Sequence, residues 1–158
     1  MRKYGYLIGM VFLLNTAAAK AQNVESMSFA GLQKEIAAHP EKTLVINFWA
    51  TWCRPCVEEL PDFEKFRAAY ADKGVEVWLI NLDFNSAVET TVKNFVQKRG
   101  LRSRIIHLTD TDPNDWIDQV DKAWGGNIPA TLIYRAGKRL AFYPEQLGYD
   151  ELVTYITQ

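Results

Sequence analysis

The sequence predicts an α/β fold, a mixed β-sheet with helices on both faces, on three observations. Two segments, "TLVINFWA" (residues 43–50) and "VEVWLINLD" (75–83), are nearly apolar throughout and rich in strand formers. That is the pattern of strands buried on both faces. Stretches of helical spacing lie between and after them, as in parallel strands joined by crossover helices. Near the end, "ATLIYR" and "RLAFY" flank Ala136-Gly137, which signals an antiparallel hairpin.

Taken in order, the chain opens with Arg2 and Lys3, an apolar stretch "YLIGMVFLL" and then the small residues of "NTAAAKAQ". This is the layout of a secretory signal, with cleavage expected after Ala21 behind the small-x-small triplet Ala19-Lys20-Ala21. A retained anchor is the alternative, but a span needs roughly 20 apolar residues, and this run is shorter and broken by Asn15. No cysteine follows the cut, which excludes lipid attachment there. Residues 1–21 are thus expected to be a signal peptide and 22–158 one domain, exported to the periplasm or cell envelope. Cleavage removes Arg2, Lys3 and Lys20 and no acid, so the formal charge moves from −1 to −4. With no basic run and no Gly-rich phosphate loop, nucleic acid is not an expected partner. The protein is expected to act as a monomer.

Residues 22–28 read as a short mobile lead. "SFAGLQKEIAAH" has helical spacing, with Phe29, Leu32, Ile36 and Ala37 on one side, Ser28 as cap and Pro40 as terminator. A helix is expected from the cysteines to about Asp72, with Pro61 inside it. Segments 87–99 and 114–124 look helical, with "RIIHL" between them as a short strand. "GYDELVTYITQ" closes the chain as an amphipathic helix. In sheets of this kind a site lies outside the carboxyl end of the central strand. "TWCRPC" falls there.

Cys53 and Cys56 are the two cysteines of the chain. As a staple they would close a very short loop, worth about 2 kcal/mol against about 3 for a fifteen-residue loop. As half of a metal clip they need further ligands, and the two histidines, His39 and His107, are far apart in sequence. No metal or other cofactor is therefore expected. Haem attachment needs histidine directly after the second cysteine, and Val57 stands there. A reactive pair uses what is present. Cys53 falls at a helix start, where free N–H groups and the dipole favour a thiolate. Arg54 adds a positive charge next to it, and Pro55 suits the first helical turn because its missing N–H is not needed there. Cys56 lies on the same face, placed to attack a mixed disulfide on Cys53. Cys53 is thus the attacking thiol and Cys56 the resolving one, together a redox-active disulfide.

"FWATWCRPC" together with "GGNIPATLIY" resembles the thioredoxin superfamily. It is most similar to the exported TlpA/ResA-like thiol-disulfide oxidoreductases, over roughly residues 25–158. The resemblance implies a thioredoxin-like fold with a helix-strand insertion between the second core strand and a cis-proline loop. That loop maps to Ile128-Pro129, with Trp52 and Ile128 as an apolar docking surface for substrate; Trp124 reads as core packing, with a share in that surface as the alternative. Asn47 matches a position that holds a buried Asp in ordinary thioredoxin. Glu59 matches an acid of the exported branch, followed by a helix proline matching Pro61. Cys56 and Glu59 share a helix face, so Glu59 is a candidate for proton transfer at Cys56; a solvated charge like Glu58 is the bland alternative.

The function the resemblance implies is reduction or exchange of disulfides in exported client proteins, apocytochrome c or other envelope clients, with a membrane thiol-electron donor as a further partner. A thiol peroxidase is the alternative enzyme, but that family wants Thr where Ala50 stands. A metal-delivery protein of the same fold wants a wider cysteine spacing and a ligand histidine. The direction of electron flow stays open, with Arg54 favouring the oxidising side and the resemblance favouring a reductant.

Overall fold

The computed structural model describes residues 23–157. The expected signal segment, 1–21, lies outside the described residues. The strands are β1 (Val24–Met27), β2 (Thr43–Trp49), β3 (Val75–Asn81), β4 (Arg104–Leu108), β5 (Ala130–Arg135) and β6 (Lys138–Tyr143). The helices are α1 (Phe29–Ala37), α2 (Arg54–Tyr70), α3 (Lys93–Arg99), α4 (Ile117–Val120) and α5 (Tyr149–Thr157). The sheet runs in the order β1-β4-β3-β2-β5-β6. The first four of these are mutually parallel, while β5 is antiparallel to β2 and β6 antiparallel to β5.

Strand periodicity of two splits the core into two layers. Val45 and Trp49 of β2 face the same side as Leu60, Phe63 and Phe66 of α2, Val96 of α3 and Leu152 of α5. Leu44, Ile46 and Phe48 face the other side, against Phe29, Leu32 and Ile36 of α1 and the indoles of Trp116 and Trp124. Both faces of β2 are therefore covered, as its nearly apolar run requires. Trp124 is core, as read from the sequence. The hairpin turn also forms as expected: Ala136 and Gly137 both have positive φ, 51° and 69°, the conformation a two-residue hairpin loop with right-handed twist demands.

Three expectations change. The supposed mobile lead contains β1, which pairs in parallel with β4 from Val24↔Ile105 to Met27↔Leu108. Only Val24 of that strand is buried, so four residues carried almost no local signal. The helix expected over 114–124 shrinks to a 3₁₀ turn at Pro113–Asp115 and the single turn of α4. Side-chain bonds from Asp112 and Asp121 to nearby N–H groups divert the backbone there. Ala37 is exposed, leaving Phe29, Leu32 and Ile36 as the buried side of α1, whose cap is Ser28 as expected. The expected insertion is present as α3 and β4, and β4 enters the sheet between β1 and β3. Residues 88–92, leading into α3, form a π-turn. Among the described residues no helix is long and apolar enough to cross a membrane.

Phe63, fully buried between α2 and the sheet, is a sensitive core position. Phe63→Ala is expected to cost about 3–5 kcal/mol, whereas Leu140→Ala on the exposed side of β6 should stay within about 0.5 kcal/mol. Urea unfolding with the disulfide intact measures both.

Candidate active site

The carboxyl end of β2 runs directly into the first turn of α2, and Cys53 is the N-cap between them. Pro55 occupies the first turn, where no N–H is needed. Cys53 and Cys56 form a disulfide. The Cys56 N–H donates to Cys53 Sγ at 3.3 Å, so a helix-terminal donor already points at the sulfur that would carry a thiolate. Cys53 keeps 6% of its surface exposed and Cys56 none. Of the two cysteines, Cys53 is the one that keeps any exposed surface.

Ile128-Pro129 is a cis peptide, as expected. The Ile128 carbonyl oxygen lies 3.7 Å from Cys53 Sγ, so the loop before β5 stands against the disulfide. Trp52 is 64% exposed beside the pair, and Ile128 is half-buried. The structure thus brings Trp52, Cys53, Ile128 and Pro129 to one edge. Arg54 goes elsewhere: its exposed guanidinium pairs with Glu58 at 2.8 Å along the helix. Its charge is met at the surface, which weakens the tuning expected of it.

Beneath the pair lies a buried polar cluster. Glu59 is buried, on the same face of α2 as Cys56. Its Oε1 accepts from Asn47 Nδ2 at 2.7 Å, and its Oε2 accepts from the Leu147 N–H at 2.8 Å. Asn47 Nδ2 also donates to Thr131 Oγ1 at 3.1 Å, across the register pair Asn47↔Thr131 of β2 and β5. The solvated-charge alternative for Glu59 therefore fails; it describes Glu58. Burial pushes the Glu59 carboxyl up to about 7, with the Leu147 and Asn47 bonds opposing and the charge of Asp62 adding to the rise. Thr131 and Leu147 were missed in the sequence. Thr131 sits two residues past the cis proline, a position that could have flagged it. Leu147 acts through its backbone and left no signal.

A carboxyl whose folded pKa lies above its unfolded value holds its proton longer in the fold. Folding then takes up a proton wherever the unfolded chain has already lost it. The stability tied to protonated Glu59 is whole below about 4.5 and is lost as pH rises through about 7. At most about 3 kcal/mol rides on this window. Glu59→Gln is expected to flatten the slope between these pH values, as chemical denaturation of the oxidised protein at a series of pH values would show. An unchanged slope would mean that Glu59 titrates normally.

The family model for Redoxin matches residues 16–133. Thiol-disulfide oxidoreductase ResA of Bacillus anthracis is 34% identical over 83 residues, 52% of this chain and 46% of that protein. The ResA of Geobacillus thermodenitrificans is 32% identical over 110 residues, 68% of this chain and 58% of that protein. The chain spans about half the length of the curated relatives it matches. Among solved structures, a thiol:disulfide interchange protein of the thioredoxin family from Chlorobium tepidum superposes with a TM-score of 0.62 at 22% identity. It covers 77% of this chain and 81% of that one, and so shows the thioredoxin-like fold. These findings agree with the resemblance carried by "FWATWCRPC" and "GGNIPATLIY". Since the Redoxin model spans more than half of its residues, the chain belongs to the Redoxin family.

Proposed function

We propose that the protein is a thiol-disulfide oxidoreductase of the cell envelope that reduces or exchanges disulfides in exported proteins. The observation that carries this reading is the Cys53–Cys56 disulfide at a helix start, its outer sulfur facing the Ile128 carbonyl. The names of the ResA relatives support the same chemistry. Export rests on the layout of residues 1–21.

In the reduced protein, the Cys53 thiolate attacks one sulfur of a client disulfide. A mixed disulfide forms and one client thiolate leaves. Cys56 then attacks Cys53 Sγ, the second client thiolate leaves, and the Cys53–Cys56 bond closes. Two electrons have passed to the client, so a thiol donor must return two electrons to the pair before the next turnover; a membrane donor fits that place. The client's extended backbone would lie along Ile128-Pro129, with Trp52 as its apolar contact.

Cys56 is fully buried and must lose a proton to attack. Glu59, one turn along the helix with its carboxyl raised to about 7, serves as the base. Asn47 suits either state of that base. Its Nδ2 now donates to Glu59, while its Oδ1 is buried without a hydrogen-bond partner among the described residues. A half-turn of the amide would present Oδ1 to a protonated Glu59, with the Thr131 hydroxyl reversing its role from acceptor to donor. A buried Asp could not offer both faces without titrating itself.

Arg54, the cation next to Cys53 in sequence, is paired with Glu58, which weakens its pull toward the oxidising end. The reductant direction is favoured, and the potential is expected nearer roughly −270 mV than −120 mV. Equilibration with dithiol buffers measures it, and a value at the upper end would reverse the direction. Cys56→Ser should accumulate clients as mixed disulfides on Cys53, recoverable from the envelope by non-reducing electrophoresis, while Cys53→Ser should trap none. Empty lanes for both would sink the client-exchange reading. Glu59→Gln should slow the second, resolving step about 10²-fold and remove its inflection near pH 7, with the first attack by Cys53 unchanged.

A further inference from the structure

A second buried polar chain reaches the cysteine turn from the opposite side, and it begins on the inserted strand β4. Thr51, two residues before Cys53, is held twice by Asp83. Its N–H donates to Oδ2 at 2.8 Å and its hydroxyl to Oδ1 at 2.6 Å. Asp83 Oδ2 also accepts from Asn81 Nδ2 at 2.7 Å, and the Asp83 N–H donates back to Asn81 Oδ1 at 3.2 Å. These two bonds settle which end of the Asn81 amide is oxygen. That oxygen lies 3.1 Å from His107 Nδ1. On the far side of the ring, His107 Nε2 lies 2.7 Å from Asn85 Oδ1. Asn85 Nδ2 donates to the Thr109 carbonyl at 3.2 Å, which settles that amide as well. Both ring nitrogens therefore face acceptors. A neutral imidazole has one N–H to give; the imidazolium has two.

We propose that His107, as an imidazolium, is a positioning residue for the Cys53–Cys56 pair: its two N–H groups hold both ends of the turn 81–85, whose central carboxylate, Asp83, holds Thr51. The functional consequence rests on the oxidoreductase reading; the hydrogen-bonded relay does not. His107, Asn81 and Asp83 are all buried, whereas Asn85 is exposed. When the ring loses its proton one acceptor must be given up. Asn81 is held at both ends of its amide, so Asn85 yields, turning its amide and releasing Thr109. The turn is then tied at one end only, and with it Phe84, which is 81% exposed on the same turn.

The charged group that faces the ring is Asp83. The register neighbours of His107 are Ser26 on β1 and Asn81 on β3, neither of which titrates here. Glu89 and Lys93, on the helical segment that follows the turn, pair with one another at the surface. Burial pushes the ring below its ordinary 6.5, while the charge of Asp83 and a bond to the Asn81 backbone push it back up. Burial is the largest of these influences, so the ring changes state below its ordinary 6.5.

The test follows the His107 ring and the Thr51 amide by NMR through a pH titration of the full folded domain, with disulfide exchange rates measured over the same range. In the unmodified protein the ring and the Thr51 amide should share one midpoint, and the exchange rate should show an inflection there in addition to the one near pH 7 assigned to Glu59. Asn85→Ala, at an exposed position, removes an acceptor from the charged form and should lower the ring and Thr51 midpoints together by about half to one pH unit. Asn85→Asp supplies an obligate acceptor and should raise both. The proposal is overturned if the ring stays neutral down to acid unfolding. It is equally overturned if the Thr51 amide or the exchange rate ignores the ring's midpoint, or if both Asn85 variants leave that midpoint in place. Coupled ring and Thr51 midpoints in a protein that exchanges no disulfide in any form would leave the relay standing and bring down the oxidoreductase reading instead.

Discussion

The candidate active site depends on one strand. β2 is paired along both edges, in parallel with β3 and antiparallel with β5, and both its faces are covered. A strand so enclosed cannot slip in register without exchanging its side chains between two differently packed core layers. Asn47 is thereby fixed opposite Thr131. The chain leaves the sheet at Trp49, and the next few residues must turn into α2. The reach between the disulfide and Ile128 is then set by the β2–β5 pairing, through only a few residues on either side. The loop carrying the cysteines inherits its precision from the most constrained part of the fold.

Two buried carboxylates flank that loop, and each is held by an asparagine on a central strand. Asn47 on β2 gives its Nδ2 to Glu59, and Asn81 on β3 gives its Nδ2 to Asp83, both at 2.7 Å. A buried carboxylate without donors is costly, and leaving one unsatisfied costs about 1–3 kcal/mol or more. The donors beyond the asparagines come from segments distant in sequence, Leu147 for Glu59 and Thr51 for Asp83. The two acids thus knit the cysteine turn to the segment before α5 on one side and to the end of β3 on the other. The environments differ. Glu59 is pushed toward neutrality by burial, whereas Asp83 accepts three hydrogen bonds, two from Thr51 and one from Asn81.

Much of this was legible because its signals are local. Buried strands announce themselves as apolar runs, the cysteine pair names its own chemistry by spacing and context, and Ala136-Gly137 can hardly be anything but a hairpin turn. Glu59 was legible as a candidate by its place on the helix face below Cys56, but its burial was not, since "VEELP" reads equally well as a wet helix face. What failed to show depends on contacts across the fold. β1 is a strand because β4 offers an edge, not because four residues prefer it. Thr131, Leu147 and the partners of His107 acquire meaning only when β5, the segment before α5 and the turn after β3 converge. Arg54 shows the same limit: its place beside Cys53 was legible, its surface pairing with Glu58 was not.

That surface pairing has a consequence for how the thiol meets its surroundings. A cysteine activated by a wet cation loses part of its activation as salt rises, because charges separated by solvent are screened within about 8–10 Å at ordinary ionic strength. Here the stabilising partners of a Cys53 thiolate are the Cys56 N–H at 3.3 Å and the helix start behind it, fixed dipoles in direct contact, with no electrolyte between. Nucleophilicity set this way varies little between dilute and concentrated media. For a protein proposed to work in the cell envelope, where the cell does not govern the composition of the outside water, it amounts to a reactivity buffered against the environment.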